Sequence, residues 1–170
     1  MKWIGALFIL LATTWSGFEA ARFLSQRPRQ LRQLKIALQS LEAEIMYGHT
    51  PLSDASLHLS RQLSCPLSWL FETFAKKLQT GTISAKQAWE ESLTEIWKMT
   101  ALKTGEFEIM KQFGETLGQY DQQTQQKQIR LTLAHLEREE SEALENQRRY
   151  EKMVKSLGFL TGLLIILLLM

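Results

Sequence analysis

Two nearly charge-free runs close the ends of this chain, and they constrain it more than any other feature. Residues 3–18 (WIGALFILLATTWSGF) carry no charge, and the run reaches Ala21 if Glu19 is accepted at an interface. About 19 helical residues rise roughly 28 Å, close to the ~30 Å hydrocarbon core of a bilayer. Trp3 and Trp15 are side chains of the kind that anchor at interfacial depth. Phe18-Glu19-Ala20-Ala21 is a poor signal-peptidase site, because Phe or Glu stands where a small residue is wanted. We therefore expect an N-terminal transmembrane helix over residues 1–21. At the other end, residues 157–170 (LGFLTGLLIILLLM) are also uncharged and span about 21 Å as helix. Met153 and Val154 lengthen that segment if Lys155 snorkels to the headgroups, giving an expected C-terminal transmembrane anchor over 156–170.

Between the two runs, residues 22–155 hold 36 of the 38 charged side chains, so the net charge of +2 hides a strong internal pattern. Residues 22–35 carry Arg22, Arg27, Arg29, Arg32 and Lys35 with no acid, and residues 148–155 carry Arg148, Arg149, Lys152 and Lys155 against Glu151. Residues 36–147 carry 10 basic and 16 acidic side chains. Basic flanks on the central domain place it in the cytoplasm and both termini across the membrane. Arg22, Arg27, Arg29, Arg32, Arg148, Arg149 and Lys152 are then a candidate collar against an anionic membrane surface.

The central domain, 22–155, reads as an all-α, six-helix bundle. Leu31, Leu34, Leu38, Leu41 and Ile45 step by three and four just after Pro28. Thr50-Pro51 predicts an N-cap and first helical residue for a second helix. A third begins near Pro66 and stops at Gly81. Ser84 and Gln87 have capping-box spacing for a fourth, with Ala85, Ala88, Trp89, Leu93, Ile96 and Trp97 inward. Phe107, Met110, Phe113 and Leu117 mark a fifth, ended by Gly118. Asp121 can cap a sixth, and neither proline nor glycine interrupts the chain from Tyr120 to Leu157. This last helix is expected to pass into the C-terminal anchor as one rod.

The chemistry-bearing residues are sparse. One cysteine excludes a disulfide framework and a multi-cysteine zinc site. No GxxxxGK[ST] loop is present, so the chain is not itself a P-loop ATPase. His49, His58 and His135 lie far apart with no metal-ligand spacing, and Cys65 has no committed histidine partner. The reading is therefore no catalytic residue, no metal, no cofactor and no nucleic acid. Gly158 and Gly162 form GxxxG in the C-terminal run, a spacing that permits close helix packing and a homo-oligomer contact in lipid.

Several short motifs, in order and spacing, resemble the stage III sporulation protein AB family of endospore-forming bacteria. They are Ala12-Thr13-Thr14 with Gly17, Arg27-Pro28-Arg29-Gln30-Leu31-Arg32, Leu41-Glu42-Ala43-Glu44-Ile45, Tyr47-Gly48 and Thr50-Pro51-Leu52, followed by residues 113–118 (FGETLG) and 155–160 (KSLGFL). The resemblance implies a non-enzymatic platform of the mother-cell membrane in the channel to the forespore. Its cytoplasmic domain would be similar to that of type II secretion and type IV pilus platform proteins, and it would couple a separate secretion-type ATPase to other membrane proteins of the channel. On that reading the acidic residues Glu137, Glu139, Glu140 and Glu142, and secondarily the turn residues Tyr47, Gly48 and Pro51, are the candidate partner surface. The rival reading is a membrane-tethered scaffold that self-associates through the Leu31–Ile45 stripe without an ATPase.

Overall fold

A computed structural model describes residues 25–44, 50–118 and 122–169, with side-chain surroundings described from Gln123 through Val154 and at Leu157 in the last helix. Among these residues there are six helices and no strand. They are α1 (25–44), α2 (Leu52–Gln62), α3 (Leu67–Thr80), α4 (Ala85–Trp97), α5 (Thr104–Glu115) and α6 (Gln122–Leu169). Short connections make successive helices neighbours, as expected in a bundle, and α2 through α6 each pack on the next.

The apolar stripes become the core. Leu31, Leu34, Leu38 and Leu41 of α1 have almost no exposed surface. Trp89 of α4 stands at the centre, edge-on to Phe71, Phe74 and Phe113 with ring centroids 5.7, 5.0 and 5.5 Å away. Such edge-to-face pairs add about 0.5–1.5 kcal/mol each beyond the area they bury. The indole Nε1–H donates to the Met110 carbonyl at 2.7 Å, which satisfies the one polar atom of this buried ring. Gly114 lies against the same indole, and an added methyl there would overlap the ring. Helix α5 can approach α4 closely only because residue 114 has no side chain.

Helix ends follow local chemistry, with three departures from expectation. Gly81 ends α3 in the left-handed region at φ 65°, where glycine carries no steric cost. Pro28 lies inside α1 instead of before it, in the first described turn, where its fixed φ suits the helix and its missing N–H costs least. Pro51 is the N-cap of α2 rather than its first residue, and the Thr50 hydroxyl donates to Glu44 at 2.7 Å. Only half of the Ser84–Gln87 capping box forms. The Gln87 backbone N–H donates to Ser84 Oγ at 3.2 Å, while the Gln87 amide reaches forward to Glu91 at 3.0 Å. Ala85 and Trp97 are partly buried, and Phe107 is too, lying edge-on to Trp97.

The sixth helix is one uninterrupted rod of 48 residues. No helix among the described residues is long and apolar enough to cross a membrane. The expected N-terminal span, 1–21, lies outside the described residues. The stretch expected to be the C-terminal anchor is helical through Leu169 as the end of α6, with side-chain surroundings described at Leu157.

Candidate functional site

Helices α1 and α6 run antiparallel and are joined by a ladder of ion pairs. Lys35 meets Glu140 at 3.0 Å and Glu137 at 3.5 Å, and Arg32 meets Glu140 at 3.1 Å. Arg27 meets Glu139 at 2.8 Å and Glu142 at 3.6 Å. Further along, Glu42 accepts from Gln126 and Arg130 at 2.9 and 3.1 Å. The ladder rests on a buried base. The Arg27 guanidinium is 8% exposed and pairs at 2.6 Å with Glu106 of α5, whose side chain has no exposed surface. The second Glu106 oxygen accepts the Lys103 backbone N–H at 2.7 Å, closing the start of α5. Gln30 accepts the Ala101 N–H at 2.8 Å beside it, so the first turns of α1 hold the α4–α5 connection.

The electrostatics of the ladder follow from this packing. Burial alone would push the Glu140 carboxyl up, but hydrogen bonds and charges from Lys35 and Arg32 outweigh it and hold the group below its ordinary range. Burial likewise works to lower the Lys35 ammonium, and Glu140 with Glu137 overcomes it and raises the value.

Two residues of the collar read from sequence, Arg27 and Arg32, thus pair with Glu139, Glu142 and Glu140 of the candidate partner surface. Arg27 is buried and Arg32 is paired, whereas Arg29, Arg148, Arg149 and Lys152 are exposed and make no ion pair among the described residues. Of the acids, Glu139 and Glu140 are turned onto α1, with side chains 23% and 11% exposed, while Glu137 and Glu142 keep 71% and 55%. Pro51 caps α2. Arg22, Tyr47 and Gly48 lie outside the described residues, and the surroundings of Gly158 and Gly162 do also. Leu31, Leu34, Leu38 and Leu41 of the Leu31–Ile45 stripe are spent inside the chain's own core, and Ile45 lies outside the described residues.

Glu106 escaped sequence reasoning, although a signal existed. Arg27 stands four residues before Leu31, Glu106 four before Met110, and Glu140 four after Leu136. Each continues an apolar stripe, so each is aimed inward. Below the ladder, a groove of about 450 Å³ runs between the α4–α5 connection and the stretch of α6 carrying Ala143, Arg149, Tyr150 and Met153. Among the described residues no group of three His, Cys, Asp or Glu side chains is placed to hold a metal ion. The exposed Cys65 thiol meets only Ser68 Oγ, at 3.4 Å.

These features define a class: an all-helical bundle whose charged residues clamp its first and last helices together. The family model described as stage III sporulation protein AB matches residues 2–170. Stage III sporulation protein AB of Bacillus subtilis (strain 168) is 58% identical over 170 residues, covering 100% of this chain and 99% of that protein. A solved structure of a stage III sporulation protein AB aligns at a TM-score of 0.71 with 55% identity, over 73% of this chain and 98% of the solved one. The chain belongs to the stage III sporulation protein AB family.

Proposed function

We propose that this protein is a non-enzymatic platform of the mother-cell membrane in the channel to the forespore, coupling a cytoplasmic secretion-type ATPase to that channel. The observation that carries the membrane part of the reading is the end of α6. The helix continues without a break, exposes Arg148, Arg149 and Lys152 with no ion pair among the described residues, then runs into the uncharged segment 157–170. Cations beside an apolar helix are what an anionic cytoplasmic leaflet attracts, at roughly 1 kcal/mol per side chain. The ATPase part rests on the likeness of the family to secretion platform proteins, a fold-level analogy. Glu137 and Glu142, still more than half exposed, are the acids that remain available to a basic partner surface.

The test is fractionation of sporulating cells with and without this protein. Release of the sporulation ATPase from the membrane fraction on deletion supports the platform reading. An ATPase that stays equally membrane-bound sinks the coupling role.

A further inference from the structure

The groove beneath the ion-pair ladder is lined by both cationic and apolar side chains. Its lining sets the cations Arg27, Lys103 and Arg149, with Asn146, among the apolar surfaces of Ala143, Tyr150 and Met153. Positions 143, 146, 150 and 153 step by three, four and three, so they share one face of the helix. From Ala143 to Met153 that face is about 15 Å long. The wall does not stop at Met153, because Val154 and Leu157 follow with side-chain-bearing surfaces 45% and 63% exposed. An apolar chain leaving the groove along α6 therefore meets more apolar surface instead of water.

Charge decides which kind of apolar ligand fits. Arg149 is exposed and makes no ion pair among the described residues, unlike Arg27, Arg32 and Lys35, whose charges are met by Glu106, Glu139 and Glu140. Lys103 meets Glu142 at 3.6 Å, an acid it shares with Arg27. Arg149 thus sets an exposed cation, unpaired among the described residues, beside apolar groove surface. The volume of about 450 Å³ lies within the ~300–1,000 Å³ usual for small-ligand sites.

We infer that this groove binds one anionic phospholipid, its phosphate held by Arg149 and Lys103 and an acyl chain lying along Tyr150 and Met153. The inference rests on the reading that the C-terminal run enters a membrane. The lipid would fix the rotation of α6 about its axis, where a diffuse collar of cations fixes only its height.

The experiment uses the full chain in detergent with phosphatidylglycerol or phosphatidylcholine added, and native mass spectrometry to count retained lipid. One retained phosphatidylglycerol per chain is expected, reduced at least 10-fold by Arg149→Gln and unchanged by Arg148→Gln, which lies outside the groove. Met153→Glu should abolish retention while leaving the secondary structure intact by circular dichroism. Equal loss from both arginine variants would reduce the site to general collar electrostatics and overturn the proposal. Equal retention of the two lipids, or no retention because protein fills the groove, would overturn it too. Flotation with phosphatidylcholine vesicles separates the two readings: a chain that does not float refutes membrane entry, while one that floats without specific retention refutes only the lipid site.

Discussion

The Arg27 guanidinium lies 2.6 Å from a carboxylate oxygen of Glu106, across 79 positions of sequence, and the glutamate has no exposed surface. A buried charge pair is strongly destabilising when one member is lost, because the survivor stays desolvated and uncompensated. Arg27→Met should therefore lower the unfolding free energy of the full chain in detergent by about 3–5 kcal/mol. The double variant Arg27→Met, Glu106→Leu should recover a large part of that loss, since two apolar groups leave no stranded charge. Urea titrations of the three proteins decide the matter. A double variant as unstable as the single would show that geometry rather than stranded charge sets the cost.

Gly114 and Gly105 sit in the same helix and should respond in opposite directions. A methyl at 114 overlaps the Trp89 indole, whereas nothing lies within 4 Å of a methyl at 105. Gly114→Ala should destabilise by about 1–3 kcal/mol, the usual cost of overpacking. Gly105→Ala should be neutral or stabilise by up to about 1 kcal/mol, because glycine loses more backbone entropy than alanine. Thermal unfolding followed by tryptophan fluorescence distinguishes them, and equal melting points would contradict the packing described for α4 and α5.

The helices were legible in the sequence because their causes are local. The steps of three and four through Leu31, Leu34, Leu38 and Leu41, Gly81 as a stop, and Ser84 as a cap all act within one or two turns. The ladder was not legible, because charge counting along the chain sees only neighbours. Residues 22–35 contain no acid, yet the acids that neutralise Arg27, Arg32 and Lys35 arrive from 79 to 115 positions away. What did mark the buried base was stripe register: Arg27, Glu106 and Glu140 fall where the next leucine was due. A charged side chain on an apolar stripe is rarely buried without a partner; Arg27 and Glu106 meet each other, and Glu140 meets Arg32 and Lys35.

The ladder also gives stability a pH window. Glu140 has a folded value below the ordinary carboxylate value of about 4.5, so its contribution is present above that pH and is lost as pH falls through the folded value. Lys35 is raised above about 10.5, so its share is present below that pH and is lost as pH rises through the folded value. Melting temperature should hence fall on the acid side below about pH 4.5 and on the alkaline side above about 10.5. Glu140→Gln should flatten the acid limb. An acid limb of unchanged slope in that variant would assign the loss to other carboxylates.

Exposure separates the acids of α6 by what their reversal would do. Glu137 is 71% exposed and touches Lys35 only at 3.5 Å, so Glu137→Lys should cost less than about 1 kcal/mol, as exposed ion pairs do. Glu140 is 11% exposed and serves both Arg32 and Lys35, so Glu140→Lys sets a third cation beside two. That variant should be destabilised several times more than Glu137→Lys. Lys35→Glu placed on top of it restores one opposite-charge contact across α1 and α6, and should return part of the loss as a favourable coupling of about 0.5–3 kcal/mol in a double-mutant cycle. The coupling is specific to antiparallel register: Lys35→Glu combined with Glu145→Lys, which lies beyond the rungs made by Arg27 and Glu142, should show none. Rescue at 145 but not at 140 would mean the two helices sit in a different register from the one the ion pairs record.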